Sequence, residues 1–543
     1  MKKTIAIILA FVLLFSTGYL TYFATNGRLN NDEAYEIQSD RITLDADYVE
    51  IGKTITASVD EDDVIYEWYV DGVKISEDGN SFTPTKYDIE KIVTVKAFTS
   101  SKIYIGSRSV CISNLPVVYV ETENRKDIKD KTEQNAYIKI QGNSEFKDSS
   151  VLYDGATMIK GRGNTTLNDA KKPFKLKLDS KANIFGMGKN KHWVLLSNPY
   201  DSSNIKNWVA NTVSGEMGLD YQSSEPVTLV LNGKYAGTYF LCEHIRIGED
   251  RVEITDWDDE AESAAKAIYK KNSDVLTKDD RDIMIDEMTA NMDWVTDDVV
   301  EYNGMTFTVS DYYDVPDVNG GYLMVIDKDQ RYNSTNGVSV GIEKPEGIGS
   351  GMYDYITGYY QAFEDAVYSD DFCTEYNGKT MHYSEFIDID SFAKGIIINE
   401  FGANADFGFR STYMYKDTDG LLTYGPVWDL DLAFGKNGIN SGADGYPTTY
   451  WKSIHRNIIS RLCSDPYFLN RLRTLYWEYR YTAIADMFRE GGLIDTEYEH
   501  IKEAARTNEE TWSYDENFED AVKIFKRWAS LRAEWLDSQF ESI

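Results

Sequence analysis

The hydrophobic pattern of this chain changes along its length, and that change limits the folds it can adopt. Short runs of aromatic and β-branched residues, separated by turn signals such as Asp71-Gly72, Asn232-Gly233 and Asp419-Gly420, predict strands and hairpins. From Ile454 to the end, the apolar residues instead recur at helical spacing. A chain with mixed sheets followed by a helical C-terminal part belongs to the α+β class, which we predict here.

The N-terminus has the pattern of an export signal. Lys2 and Lys3 precede an uncharged, largely apolar stretch over residues 4–26. This stretch is about long enough to span a bilayer. A cleaved signal peptide and a retained membrane anchor over residues 1–27 both fit this pattern. In either case we expect the body of the protein outside the cytoplasmic membrane, secreted or anchored by residues 4–26.

Strand signals and a proline-marked boundary divide the rest of the chain. Residues 41–113 are predicted to form a small β-sandwich, and its segment 66–72 resembles the central strand of bacterial immunoglobulin-like modules. The other predicted parts follow in order. They are a main domain over residues 116–480, an acidic helix-prone insertion within it at 256–301, and a helical C-terminal extension over 481–543, packed on the main domain.

Charge and cysteine content exclude several classes of function. The chain carries 90 acidic and 56 basic residues, a net charge of −34. Such a surface repels the phosphates of nucleic acids and anionic lipids, so we predict no nucleic-acid partner and membrane attachment through the N-terminal segment alone. The four cysteines are far apart in sequence, which favours free thiols and leaves one long-range disulfide open.

Two carboxylates near the end of a predicted strand form the strongest local signal. Asp429 and Asp431 lie in the segment 425–431, where a spacing of two on an extended backbone directs both side chains to one face. Neighbouring carboxylates repel unless a cation lies beside them, and hard oxygen ligands suit Mg²⁺ or Mn²⁺. The alternative is that both residues cap turns or pair with arginines, and the spacing alone does not separate these interpretations.

Asp406 lies just after a predicted helix over residues 390–401, where the chain turns towards the next hairpin. Loops at helix ends often hold catalytic groups, and a carboxylate there can accept the proton of an attacking hydroxyl. Asp406 is therefore a candidate general base. An Asx turn made by Asn404 or by Asp406 is the structural alternative.

A basic cluster over residues 160–177 stands out in this acidic chain. Arg162 lies between two glycines, where backbone N–H groups can approach an anion. In the following predicted strand, Lys175 and Lys177 alternate with three apolar residues and so share one face. These cations are candidates to hold phosphate groups, whereas a tight turn and a solvated lysine face are the alternatives.

Glu243 is a single acid at the end of an apolar predicted strand. It is a candidate partner for one of the cluster's lysines, or a metal ligand. The alternative is an ordinary carboxylate at a strand end.

Taken together and in order, these segments resemble the spore coat protein H (CotH) family of atypical kinases. The resemblance runs from about residue 116 to about residue 480, and several motifs carry it. They are residues 160–164, 172–178, 192–198 and 231–239, then Glu243, Asn399-Glu400, Asp406 and residues 425–431.

The resemblance implies an atypical, secreted-type protein-kinase-like domain. It implies transfer of the γ-phosphoryl group of ATP to Ser or Thr of a protein, with Mg²⁺ or Mn²⁺ as the metal. It places the catalytic residue at Asp406 and the metal ligand at Asp429, with Asp431 beside it. Our candidates for binding the nucleotide, chosen from chemistry and position, are Arg162, Lys175, Lys177 and Glu243.

The resemblance also bears on partners and leaves a second function open. The expected partners are ATP and a protein substrate at the cell surface or in a spore coat. The alternative is a non-catalytic surface protein that keeps the kinase-like fold and serves as a scaffold, or adheres to a polysaccharide or a protein. Retention of both Asp406 and Asp429 favours the enzyme.

Overall fold

A computed structural model describes residues 41–46, 48–77, 79–146, 151–328, 330–435 and 447–542. The predicted export segment lies outside these described residues. In the described part, no helix has both the length and the apolar character needed to cross a membrane. Helices and sheets are mixed along the chain, which confirms the α+β class.

The described chain forms two compact units, each assembled from distant segments. The first contains the described residues up to Ser202, together with Ser224–His244 and Tyr498–Phe518, and the second contains Ser203–Ser223, Ile245–Glu497 and the described residues from Glu519. The predicted domain boundaries at residues 116 and 480 stay predictions, because each compact unit is assembled from several segments of the chain. The first unit combines the predicted sandwich with part of the main domain, and the predicted C-terminal extension is divided between the units.

The helices are concentrated in the second half of the chain, as the change in hydrophobic period predicts. In chain order they are α1 (Lys206–Glu216), α2 (Trp257–Lys271), α3 (Lys278–Ala290), α4 (Trp294–Asp297), α5 (Ser350–Tyr368), α6 (Ile389–Phe401), α7 (Asn457–Leu462), α8 (Pro466–Arg480), α9 (Ala483–Phe488), α10 (Leu493–Thr511) and α11 (Phe518–Ser542). Short 3-10 helices lie at Glu123–Arg125, Thr166–Asn168, Val309–Asp311 and Tyr383–Glu385.

The N-terminal part of the first unit contains two small antiparallel sheets that share one apolar core. Trp68, which is 1% exposed, lies in that core. One sheet has the order β1-β2-β5 and the other β4-β3-β6-β7. Their strands are β1 (Thr43–Leu44), β2 (Ile55–Ser58), β3 (Val64–Val70), β4 (Val73–Glu77), β5 (Ser81–Phe82), β6 (Ile92–Thr99) and β7 (Tyr104–Cys111). The predicted hairpin at Asp71-Gly72 is confirmed, because it joins β3 to β4.

The rest of the first unit is built on a closed barrel. Its strands are β8 (Val117–Thr122), β9 (Gln134–Gln141), β10 (Val151–Gly161), β11 (Phe174–Asn183), β12 (Lys189–Leu196), β13 (Ser224–Leu231) and β14 (Lys234–Glu243), in the order β10-β11-β12-β14-β13-β8-β9. Period-two alternation fills the barrel with apolar side chains, among them Leu176, Trp193 and Leu241.

The second unit contains a five-stranded antiparallel sheet in the order β18-β19-β17-β22-β23, as well as two hairpins. Every residue of its central strand, Tyr322–Ile326, is buried. The strands of the unit are β15 (Val299–Tyr302), β16 (Met305–Thr308), β17 (Tyr322–Ile326), β18 (Tyr332–Asn333), β19 (Ser339–Lys344), β20 (Cys373–Tyr376), β21 (Lys379–His382), β22 (Thr412–Lys416) and β23 (Thr423–Tyr424).

The acidic segment 256–301 is helical, as its composition predicts. It forms α2, α3 and α4, and α3 begins with a capping box between Thr277 and Asp280. Three of its alanines and two of its methionines pack into a separate core with Trp294 and Phe307. The four cysteines are all free thiols, as predicted.

Glu90 is a buried carboxyl group within the first unit. It is 2% exposed and accepts hydrogen bonds from the hydroxyls of Ser113 (2.7 Å) and Thr228 (2.6 Å). Burial raises the pKa of Glu90 from 4.5 to about 7, although both hydrogen bonds act in the opposite direction. Between about pH 4.5 and 7, the folded protein therefore holds a proton that the unfolded chain releases.

Glu90→Gln should remove a pH dependence from the stability of the first unit. In the wild type, this proton makes the free energy of unfolding fall as the pH rises from about 4.5 to 7, by about 3 kcal/mol in total. Glutamine keeps hydrogen-bonding groups for both hydroxyls but does not ionise. We expect the variant to be about 1–3 kcal/mol more stable than the wild type at pH 8, and little different near pH 4.5.

Urea denaturation at several pH values measures this effect. Glu123→Gln, at an exposed position of the same unit, is the control for removal of a glutamate charge. A Glu90→Gln variant with the wild-type dependence on pH would contradict the assignment.

Candidate active site

The two carboxylates of the predicted metal site lie in a loop, not on a strand. β23 ends at Tyr424, and Asp429 has φ of +66°, in the left-handed region that few non-glycine residues adopt. The predicted extended segment is therefore wrong here, and alternation does not place Asp429 and Asp431 on one face. The physical reason lies in Gly425, with φ of +135°, and in Pro426, which has no N–H for a sheet hydrogen bond.

Residues 425–435, which we call the carboxylate loop, are fixed by hydrogen bonds within the second unit. The start of α1 and the end of α6 contribute most of them. The N–H of Val427 donates to Asp220 O (2.8 Å), that of Leu430 to Asn207 Oδ1 (2.7 Å) and that of Phe434 to Gly402 O (2.7 Å), while Lys206 Nζ donates to Ala433 O (3.1 Å). These contacts hold Asp429 in its strained conformation, and strained backbone of this kind is found at functional sites.

Asp406 opens a tight turn between α6 and β22. Its N–H donates to Asn404 Oδ1 (3.0 Å), and its C=O accepts from the N–H groups of Phe409 (2.9 Å) and Arg410 (2.7 Å). The Asx turn proposed as the structural alternative is thus present. It is made by the side chain of Asn404, and the half-buried carboxylate of Asp406 does not form it.

Hydrogen bonds attach the segment around each predicted aspartate to neighbouring elements of the second unit. Asn404 Nδ2 donates to Asn399 Oδ1 (2.8 Å), and Asn399 Nδ2 donates to Tyr424 Oη (2.8 Å). Tyr424 is the last residue before the carboxylate loop. The turn that begins at Asp406 leads to Ser411, whose hydroxyl donates to Asp429 Oδ2 (3.0 Å). The structure therefore anchors the Asp406 turn and Asp429 on the same elements of the second unit.

Glu400 is a residue of this region whose role the sequence did not reveal. Its carboxylate is 2% exposed and accepts hydrogen bonds from the N–H groups of Lys452 (2.7 Å), Ser453 (2.6 Å) and Ile454 (2.9 Å), and from Arg532 Nη2 (2.7 Å). The sequence motif contains Glu400, but its partners are distant along the chain. No local pattern pointed to them.

Two cations accompany the Asp406 turn. Arg456 Nη1 donates to Ala405 O (2.6 Å) and Phe407 O (3.4 Å), the neighbours of Asp406. Burial lowers the pKa of Lys452, and the charge of Arg456 acts in the same direction, whereas Glu400 and Asp406 act against them. The cations Lys452 and Arg456 therefore lie close to the carboxylates of Glu400 and Asp406, and neither cation belongs to a motif that the sequence analysis identified.

The donor chemistry of the carboxylate loop fits the metal that the family resemblance implies. Asp429 is half-buried and Asp431 is 8% exposed, so both are protected from bulk water. Partly buried carboxylates need positive charge or hydrogen bonds, and carboxylate oxygens are the ligands that Mg²⁺ and Mn²⁺ prefer. The residues that would hold the ion are Asp429 and Asp431.

The basic strand is confirmed as an alternating strand of the barrel. Phe174, Leu176 and Leu178 point into the barrel core, so Lys175 and Lys177 lie on its outer face. Lys177 is exposed and Lys175 half-buried. The lysines of this strand are therefore accessible to an anion, as a phosphate-binding role requires.

Arg162 and Glu243, the other two candidates for nucleotide binding, lie on different elements from Lys175 and Lys177. Arg162 directly follows β10, where its N–H donates to Pro173 O (3.1 Å). Glu243 is 6% exposed and pairs with Trp193 of the barrel core, so it lies on the face of the sheet opposite to Lys175 and Lys177. The structure does not bring Glu243 together with those two lysines.

Lys171, which the sequence analysis included in the basic cluster, is a buried structural residue. Its amine donates to Thr238 O (2.6 Å) and lies 4.8 Å from the centre of the Tyr239 ring. Burial lowers its pKa well below the usual range.

A comparison with known protein families shows which family this chain belongs to. A family model described as CotH kinase protein matches residues 159–536. The chain belongs to the CotH kinase family. The CotH match contains Arg162, Asp406 and Asp429, and it indicates a kinase-like, phosphotransferase function. It starts later than the motifs suggested and extends into α11. No curated protein matches the chain.

Proposed function

We propose that this CotH family protein is an extracytoplasmic protein kinase that transfers the γ-phosphoryl group of ATP to Ser or Thr of surface or coat proteins. The observation that carries the proposal is that both aspartates are anchored in the second unit, Asp406 through its N–H to Asn404 Oδ1 and Asp429 through the hydroxyl of Ser411. Phosphoryl transfer asks a protein mainly to position reactants and neutralise charge, and fixed carboxylates suit that task.

Each residue has a distinct proposed role. Asp429 and Asp431 hold Mg²⁺ or Mn²⁺, which neutralises phosphate charge when bound. Asp406 orients the substrate hydroxyl and accepts its proton. Arg162, Lys175 and Lys177 are proposed to bind phosphate oxygens of ATP. Glu243 is not assigned to the same phosphate site as the two lysines, because it lies on the other face of the barrel sheet.

Three broader features are also part of the proposal. The kinase-like architecture rests on family membership. The immunoglobulin-like character of residues 41–113 is supported by two small sheets around one core. The location outside the cytoplasmic membrane rests on Lys2, Lys3 and the uncharged stretch that follows them.

Incubation of the purified protein with γ-labelled ATP and Mn²⁺ or Mg²⁺ tests the activity. We expect metal-dependent incorporation of label into the protein itself or into an added protein substrate, and loss of incorporation in Asp429→Ala. Asp354→Ala, which removes an exposed carboxylate of the same unit, is the control and should retain activity.

Two results would count against the proposal. Absence of transfer by the wild type with either metal would favour the scaffold alternative. Transfer at the wild-type rate by Asp429→Ala would show that the carboxylate loop is not the metal site.

A further inference from the structure

Three potential metal ligands from distant parts of the sequence lie together in the first unit. Glu145, Glu225 and His500 each offer one ligand atom, and these atoms all lie within 4.8 Å of one another. His500 Nε2 is 3.8 Å from Glu145 Oε2. None of the three belongs to the motifs described above.

The topology of the barrel explains why the two glutamates are close. Glu225 is the second residue of β13, and Glu145 follows the end of β9. β13 runs parallel to β8, and β8 is antiparallel to β9, so β13 begins at the same end of the barrel at which β9 finishes. The glutamates therefore lie at one end of a closed and rigid sheet.

The third ligand is fixed by a helix, not by a flexible loop. His500 lies on α10, which is attached to the barrel by Asn508 and the residues after it. Asn508 Oδ1 accepts from Thr238 N–H (3.1 Å), and Trp512 Nε1 donates to Ala236 O (3.0 Å). His500 lies about 12 Å before Asn508 along the helix axis, at 1.5 Å per residue. The position of His500 is thus set by the contacts that Asn508 and Trp512 make with the barrel.

We infer that Glu145, Glu225 and His500 form a binding site for a divalent transition-metal ion, most suitably Zn²⁺. This inference does not rest on the proposed kinase activity. Zn²⁺ bonds of about 2.0–2.2 Å in tetrahedral geometry separate the donor atoms by roughly 3.3–3.6 Å, so the donor atoms would have to approach one another by no more than about 1.5 Å. One imidazole with two carboxylates suits Zn²⁺ or Mn²⁺ better than Mg²⁺ or Ca²⁺, which prefer oxygen ligands alone.

Charge also favours a cation at this position. Two glutamates so close together repel each other in a chain whose net charge is −34, and a bound cation removes that repulsion. The Glu145 side chain is 59% exposed and the His500 side chain 25%, so an ion has access from solvent. Three protein ligands leave a coordination position for water.

The consequence of such a site is a metal link between α10 and the barrel end. A bound ion would stabilise the first unit by an amount that rises with the logarithm of metal concentration over Kd, because binding to the folded form alone shifts the folding equilibrium. A protonated His500 would instead form an ion pair with the same carboxylates. Because a metal ion binds only the neutral imidazole, metal affinity should fall as the pH falls.

Metal titration of the chelator-treated full-length protein, without nucleotide, tests the inference. We expect one Zn²⁺ per chain in calorimetry and a rise in Tm on addition of Zn²⁺. Glu225→Gln and His500→Gln should each weaken this binding at least tenfold and abolish the Tm shift. Glu145→Gln, at an exposed position that is least able to disturb folding, should weaken it as well.

Two controls separate this site from others. His455→Gln removes an exposed histidine, and Asp429→Ala removes the proposed catalytic metal ligand; both should leave nucleotide-independent Zn²⁺ binding unchanged. Wild-type affinity in Glu145→Gln and His500→Gln, or no nucleotide-independent binding by the wild type, would overturn the inference. Either result would leave the kinase proposal untouched.

Discussion

Asp406→Asn is expected to lower the rate of phosphoryl transfer by about two or more orders of magnitude while leaving ATP affinity unchanged. A positioned general base contributes on this scale, and Asp406 is proposed to contact the attacking hydroxyl, not the nucleotide. Asparagine is close in size, and the turn should survive, because its hydrogen bonds use the backbone of Asp406 and the side chain of Asn404. The loss would be smaller if the transition state is loose, since such a state asks little of a base.

Asp429→Ala should behave differently. A metal ligand acts on the bound nucleotide as well as on the transition state, so this variant should lose metal-supported ATP binding together with turnover. The paired measurement is calorimetry of ATP with Mn²⁺ and transfer of label from γ-labelled ATP, with Asp354→Asn as a control for removal of an exposed charge from the same unit.

The paired results distinguish the proposed roles. If Asp406→Asn abolishes nucleotide binding and Asp429→Ala retains it, the two roles are reversed. If both variants transfer phosphate like the wild type, neither aspartate acts in catalysis and the scaffold alternative is supported.

The strands were the most predictable part of this fold, because their signal is local. Lys175 and Lys177 alternate with three apolar residues, and a period of two places the apolar side chains in the barrel core wherever the strand pairs. The closure of the barrel was not predictable in this way. It depends on the parallel pairing of β8 with β13, whose partners, such as Val117 and Thr228, are far apart in sequence.

The carboxylate loop shows where local reasoning fails at a site. The alternation rule was applied beyond Tyr424, but the loop follows contacts with Asp220, Asn207 and Gly402, which no local pattern encodes. Asp429 and Asp431 were nevertheless chosen as candidates for their chemistry and for their place in an ordered set of motifs. For Glu243, by contrast, the chemistry did not lead to the right position. Its charge suggested a lysine partner, but the strand pairing places Glu243 on the face of the sheet opposite to Lys175 and Lys177.

Arg532→Met should destabilise the second unit by about 3–5 kcal/mol. Arg532 is 0% exposed and donates to Glu400 Oε1 (2.7 Å), Glu400 O (2.7 Å), Thr448 O (2.8 Å) and Tyr450 O (2.6 Å), with its guanidinium 4.8 Å from the centre of the Trp535 ring. Methionine preserves much of the apolar contact but leaves the Glu400 carboxylate buried without this partner. Breaking one half of a buried ion pair typically costs this much.

Urea denaturation provides the measurement, and the chain contains a matched control. Arg471 also pairs with a carboxylate, that of Asp390, but both side chains are more than a third exposed. Because water screens such pairs, Arg471→Met should cost no more than about 1 kcal/mol. A similar cost for both arginines would show that the buried pair has no special part in stability.

The double variant Glu400→Gln/Arg532→Met tests the mechanism of that loss. If the cost arises from an uncompensated carboxylate, removing its charge should recover part of it, and the two single effects will not add. If instead the effects add fully, Arg532 stabilises the unit through its carbonyl and aromatic contacts. In both cases Asp406→Asn should keep wild-type stability. Glu400 and Arg532 stabilise the folded structure of this region, whereas Asp406 is proposed to act in phosphoryl transfer.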